Sequence, residues 1–142
     1  MSLRSFTLFD QIERNARLHG QRNAYSADGV RVTHAEYAQR VQRLSCGLAA
    51  TGVSAGDRIA IVAHNGALYL DLIGAAARLG AIIVPVNWRL AADEVAHVLA
   101  DARQHAIRLF VRAFGRAVQR QPHLLDDGSV RRAAWRSDGR HL

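Results

Sequence analysis

Apolar positions along the first hundred residues follow two rhythms, and the switches between them mark out the elements. Leu8, Ile12 and Ala16 recur every four residues and predict a helix; Thr7 and Asp10 have capping-box spacing, and Gly20 is placed to end it. Asn23 to Ser26 and Val30 to Val32 flank Asp28-Gly29, a dipeptide favoured in tight hairpin turns, so two short paired strands are expected. Thr33-x-x-Glu36 is a second capping box, with Val32 set to staple onto Tyr37. The helix it opens carries the stripe Tyr37, Val41, Leu44 and Leu48, and Gly52 supplies a left-handed stop.

After the turn from Gly52 to Gly56, Arg58-Ile-Ala-Ile-Val-Ala63 is almost continuously apolar, the pattern of a strand covered on both faces. Asn65 is placed to cap a third helix, Ala67 to Leu79, which is apolar nearly all round and so belongs in a core. Gly80 ends it, and Ala81 to Val86 reads as a second buried strand. Asp93 and Glu94 suit the positive end of a fourth helix whose Val95, Val98, Leu99 and Ala102 face inward. Strand, helix, strand and helix joined by short loops predict an α/β fold of parallel strands and crossover helices. Leu68 to Val86 is oily enough to suggest a membrane span, but Asp71 and Arg78 interrupt it and Gly80 and Pro85 divide it into helix and strand.

Composition adds three points. At 142 residues, 49% of them hydrophobic, the chain has the length of one domain and enough apolar surface for a packed core. Its single cysteine, Cys46, excludes an internal disulfide or a Cys-rich metal site and reads as a buried thiol in the second helix. The opening MSLRSFTLFDQIERN has no continuous apolar run and soon meets Asp10 and Glu13; it does not read as a signal peptide, and a cytoplasmic protein is expected.

Charge changes the picture more. Residues 1–102 hold 10 Arg against 9 acids, whereas residues 103–142 hold 9 Arg against 3 acids, and the chain has no lysine. The net charge of +7 therefore belongs mostly to the last forty residues, with a boundary near Asp101 to Arg103.

Candidate chemistry concentrates in GAIIVPVNWRL, residues 80–90, where an apolar strand surfaces into Asn87, Trp88 and Arg89. In an open parallel sheet, ligands bind beyond the carboxyl ends of the strands, where these residues fall. The structural alternative is that Trp88 covers the sheet edge and Arg89 pairs with a nearby acid. No glycine-rich nucleotide motif and no G-x-S-x-G elbow occurs. The seven histidines lack metal-ligand spacing, and His34, His64 and His97 read as surface or cap residues. No catalytic residue and no metal ligand is nominated.

The order of segments resembles the opening of adenylate-forming acid–CoA ligases, the acyl-CoA synthetase family. The elements that carry the resemblance are Thr33-x-x-Glu36-Tyr37, Gly52-x-x-x-Gly56-Asp57-Arg58-Ile-Ala-Ile, Asn65, and Gly80-Ala81 through Pro85-x-Asn87-x-Arg89-Leu90. The resemblance implies ATP- and magnesium-dependent activation of a carboxylic acid to an acyl-adenylate, then transfer to the thiol of coenzyme A. It places Arg89 near the nucleotide phosphate of coenzyme A, a task that suits a planar, permanently charged fork, with Trp88 covering the site. It assigns residues 1–102 to the N-terminal segment of an AMP-binding domain. The family's Ser/Thr/Gly-rich phosphate loop, its catalytic Lys, its magnesium- and ribose-binding acids and its acyl pocket have no counterpart here. Without those cation clamps, this chain alone is not expected to work as a ligase.

Residues 103–142 form an Arg-rich tail in which the resemblance fades. The family would place a strand at Ile107 to Val111. The residues also fit a basic amphipathic helix, with Ile107, Phe110, Phe114 and Val118 opposite Arg108, Arg112, Arg116 and Arg120, suited to nucleic acid or an anionic membrane. A third account is a change of reading frame near codon 103 that replaced the native continuation. Two buried strands with few partners would leave apolar surface exposed, and self-association is expected.

Overall fold

The structure is a computed structural model that describes residues 6–27, 29–102, 107–111 and 130–132. It divides into two compact units. One comprises Met1–Ser54 with Asn65–Gly80, the other Ala55–His64 with Ala81–Leu142.

The first unit contains α1 (Leu8–His19), the hairpin β1 (Asn23–Ala27) and β2 (Val30–Thr33), α2 (His34–Ala50) and α3 (Ala67–Leu79). Both predicted capping boxes form. The Thr7 hydroxyl accepts from the Asp10 amide at 3.2 Å, while the Thr7 amide donates to the Asp10 carboxylate at 2.7 Å. Thr33 and Glu36 repeat the arrangement at 3.3 and 2.8 Å. The hairpin pairs antiparallel, with Gly29 at φ 76° in its turn, and Gly52 at φ 86° and Gly80 at φ 71° follow α2 and α3 as left-handed stops. Gly20 instead ends α1 in a right-handed conformation at φ −49°.

Accepting from the backbone holds the Asp10 and Glu36 carboxyls below the ordinary carboxylate range. A lowered folded-state pKa contributes stability above the unfolded value and loses it as pH falls through the folded one. Helix signal followed by circular dichroism during an acid titration should therefore drop below about pH 4. Thr33→Ala should lower stability by about 1 kcal/mol near neutrality and flatten that acid limb. An unchanged acid limb would show that the caps do not couple to protonation.

The stripe of α2 is buried at Val41, Leu44 and Leu48, as the four-residue rhythm requires. Its phase corrects one expectation: Cys46 is exposed, and Ser45 takes the buried position at 0% exposure. Ser45 remains satisfied there because its hydroxyl donates to the Gln42 carbonyl and accepts from Arg78, both at 2.8 Å. Arg78 also lies with its guanidinium carbon 5.5 Å from the centre of the Phe9 ring.

Helix α3 departs from its all-round apolar reading at Asp71, which is buried at 4% exposure. The Arg40 guanidinium grips this carboxylate with Nε at 3.1 and 2.9 Å from its two oxygens and with Nη2 on Oδ2. The Tyr25 hydroxyl donates to Oδ1 at 2.9 Å, and Tyr37 meets Tyr25 edge-to-face with centroids 5.3 Å apart. Burial, and then the Asp71 charge, raise the Tyr25 phenol well above its usual range and push that of Tyr37 up to about 12. Asn65 is a second correction: Gly66 occupies the N-cap of α3 with extended backbone, and no side chain caps the helix.

The second unit is a four-stranded sheet ordered β4-β3-β5-β6, from β3 (Arg58–Val62), β4 (Ile82–Val86), β5 (Ile107–Val111) and β6 (Val130–Arg132), with α4 (Ala92–Asp101) between β4 and β5. All three pairings are parallel, and the strand–helix alternation from β3 through α3, β4 and α4 to β5 requires this of the first two. Ile59, Ala60, Ile61 and Val62 of β3 are buried, which fits a strand with neighbours on both sides. β4 corrects the expectation of a second buried strand, since only Val86 is buried and Ile82 is 47% exposed. It lies at the end of the described strand order, where Pro85, lacking an amide proton, is tolerated. Val95, Val98 and Leu99 of α4, with Ala102 at its C-cap, pack with Ala60, Val62 and Val86.

Ile107–Val111 is the strand that the family reading expects rather than the start of a helix. The other positions of the basic-helix reading, Arg112 to Arg120, lie outside the described residues. Among the described residues, no helix is long and apolar enough to cross a membrane.

Candidate functional site

The carboxyl ends of β3 and β4 converge on one short turn. β4 ends at Val86, and Asn87, Trp88 and Arg89 follow it, all three exposed. Sequence sets the turn locally: the Asn87 side-chain carbonyl accepts from the Arg89 amide at 3.0 Å, and the Leu90 amide bonds back to the Asn87 carbonyl at 3.2 Å. Leu90 tucks against the apolar cluster under the sheet, anchoring the far side. The α4 helix then starts with the Ala91 amide donating to the Glu94 carboxylate at 2.8 Å.

The Arg89 guanidinium carbon lies 4.9 Å from the centre of the Trp88 ring, a cation–π distance. No carboxylate among the described residues is found within ion-pairing distance of Arg89. The acid partner considered for Arg89 is therefore not formed among them, and its cationic head is presented on an aromatic platform at the sheet's carboxyl edge. Such an edge, with a fixed cation and a flat apolar surface, can take an anionic group attached to a planar one.

His64 was set aside on sequence alone, yet its ring stacks on Trp88 with centroids 3.9 Å apart and planes tilted by 33°. The missing signal was register. Val62 pairs with Val86, so residues two steps beyond each strand end come level. His34 begins α2 and His97 lies exposed on α4, in line with the surface reading. The Tyr25–Arg40–Asp71 cluster holds the most perturbed groups of the first unit, but its partners satisfy one another and it reads as a structural lock. Among the described residues, no group of three or more His, Cys, Asp or Glu stands close enough to hold a metal ion, so no step is assigned to a metal held by them.

Comparison with known proteins gives this geometry a family. A model described as AMP-binding enzyme matches residues 12–136. A feruloyl-CoA synthase from Amycolatopsis sp is 42% identical over 89 residues, covering 63% of this chain and 18% of that protein. A long-chain-fatty-acid–CoA ligase from Thermus thermophilus is 36% identical over 104 residues, covering 70% and 19%. A solved structure from Rhodopseudomonas palustris, assigned as a long-chain-fatty-acid CoA ligase, superposes with a TM-score of 0.80 at 41% identity, over 96% of this chain and 34% of that one. The chain thus spans about a fifth of the length of these curated relatives. The family match runs past the charge boundary, and the α/β order and the parallel sheet agree with it: this chain belongs to the AMP-binding enzyme family.

Proposed function

We propose that this chain is the opening segment of an ATP-dependent carboxylic acid–CoA ligase, which makes acyl-CoA, AMP and pyrophosphate from acid, ATP and CoA through an acyl-adenylate. The observation that carries the reading is the family match over residues 12–136. Within that scheme, Arg89 meets a phosphate of coenzyme A and Trp88 shields the contact. A guanidinium held over an indole and free of a carboxylate partner among the described residues suits this role.

The chain alone should not catalyse the reaction. Transferring the adenylyl group needs cations fixed around developing phosphoryl charge, and a sequence without lysine lacks the lysines of the family's phosphate loop and mobile domain. The purified chain should release no pyrophosphate from ATP with any of a panel of fatty and aromatic acids, and clear turnover with one acid would refute this. Coenzyme A should bind more weakly than millimolar, because most of its site would lie in parts of the relatives that this chain does not span. Arg89→Ala should weaken the contact by a further 1–3 kcal/mol, roughly the worth of a charged hydrogen bond. A nuclear magnetic resonance titration checks this: millimolar or tighter binding that is lost in Arg89→Ala would overturn the expected weakness and keep the Arg89 contact, whereas such binding left unchanged by Arg89→Ala would overturn the assignment.

The 9 Arg against 3 acids in residues 103–142 favour a second reading, a binding protein whose tail meets nucleic acid or an anionic membrane. It requires salt-sensitive affinity that disappears from residues 1–102 alone. The frame-change account requires that the DNA downstream, read in another frame, encode a Ser/Thr/Gly-rich loop ending in Lys.

A further inference from the structure

The parallel register of β3 and β4 continues beyond their last paired residues. Val62 lies opposite Val86, and two residues on in each segment His64 and Trp88 stack, centroids 3.9 Å apart. The same indole carries the Arg89 guanidinium at 4.9 Å. Trp88 is 40% exposed, and the ring found stacked on it among the described residues is that of His64.

We infer that His64 is a positioning residue for Arg89, acting through Trp88: the imidazole fixes the indole, and the indole fixes the guanidinium for a phosphate of coenzyme A. This rests on the reading of Arg89 as a coenzyme A contact and adds the residue that makes the contact selective in geometry. An exposed arginine samples many rotamers and loses that freedom when it grips a phosphate. Holding the guanidinium over a ring removes part of that loss in advance. The ring must itself be held, and the turn supplies only backbone restraint, through the Asn87 side chain on the Arg89 amide. A ring contact adds restraint on the indole, and the parallel register delivers it at His64. Sequence position makes this economical, because the strand pairing that aligns Val62 with Val86 also sets the stack.

The test uses the full chain with Trp135→Phe, so that Trp88 is the remaining indole. Two signals are read without any ligand: acrylamide quenching of Trp88 emission, and the ring-current shift of the Arg89 Cδ protons. His64→Ala should raise quenching about twofold or more and move the Arg89 protons to unstacked values, as loss of an exposed aromatic partner predicts. His64→Phe, which keeps a flat ring, should restore both. If His64→Ala changes neither signal, or His64→Phe fails to restore them, the inference is overturned. Coenzyme A is then titrated to tens of millimolar against the same variants, with the Trp88 indole N–H resonance as a reporter common to all of them, and His64→Ala should weaken its apparent affinity about threefold to tenfold, the range of an aromatic contact. A response abolished by Arg89→Ala but unaffected by His64→Ala would sink the positioning role and keep the coenzyme A contact. No coenzyme A response at Arg89, alongside release of the side chain in His64→Ala, would sink the contact and keep the positioning role.

Discussion

Replacing Arg40 with methionine should lower stability by about 3 kcal/mol, among the largest effects of any single change in the first unit. The physical ground is asymmetry. A buried ion pair contributes little net when compared with apolar residues of the same size, but removing one partner strands the other charge in a poor solvent. Here the stranded group is the carboxylate: the Asp71 side chain is 6% exposed and that of Arg40 39%. After Arg40→Met, Asp71 keeps only the Tyr25 hydroxyl among the side-chain donors found on it. Because water can reach the vacated guanidinium position, the loss should fall at the lower end of the range for buried pairs. Asp71→Leu strands the more exposed partner and should cost less. The double replacement Arg40→Met with Asp71→Leu should recover most of the loss, which urea unfolding of the four proteins measures as a coupling energy. A loss below about 1 kcal/mol for Arg40→Met would mean that the pair behaves as a surface bridge.

The same cluster sets an alkaline limit. Tyr37 holds its proton up to about 12 in the folded chain, because burial and the Asp71 charge disfavour its phenolate. A folded-state pKa raised above the unfolded value gives stability that is complete below the unfolded value and lost as pH rises through the folded one. The unit should therefore loosen between about pH 10 and 12, and Tyr37→Phe should widen its tolerance.

Local signals were legible, and non-local ones were not. The two capping boxes, the Asp28-Gly29 hairpin and the glycines after α2 and α3 each need only a few neighbouring residues, and each was readable from spacing. From sequence, Asp71 only interrupts an oily segment, because its partner, Arg40, stands 31 residues away on another helix. The sequence reading places Cys46 inside as a buried thiol, whereas helical phase puts Ser45 inside and the hydroxyl's two hydrogen bonds let it stay. The exposure of β4 depends on strand order, which no single strand's pattern contains. At the candidate site, Trp88 and Arg89 were readable as polar and aromatic residues after an apolar run; His64 was not, because only parallel register brings it level with Trp88.

Gly74 should be nearly as intolerant of change as Arg40, for a reason that has nothing to do with backbone freedom. It lies in the middle of α3, where glycine costs about 1 kcal/mol relative to alanine, so Gly74→Ala gains that much in helix propensity. A Cβ there would meet Val41 Cγ2 at 2.5 Å, the Tyr37 hydroxyl at 2.9 Å and Ile12 Cδ1 at 3.2 Å. Val41 is fully buried and Ile12 only 6% exposed, so neither has a free direction in which to give. Overpacking of this kind costs about 1–3 kcal/mol for one added carbon and outweighs the propensity gain. Gly74→Ala should therefore destabilise by about 1–2 kcal/mol, and Gly74→Val, which adds two more carbons and a stiff χ1, by about 3 kcal/mol or more. Trimming the facing side chain decides whether the cause is steric. If close approach of α2 to α3 is what requires glycine, Gly74→Ala should be milder in a Val41→Ala background than in the native one, since the two changes fill and vacate the same space. Equal penalties in both backgrounds, or a stabilised Gly74→Ala, would show that the helices can separate to admit a methyl group and that the glycine is not set by their contact.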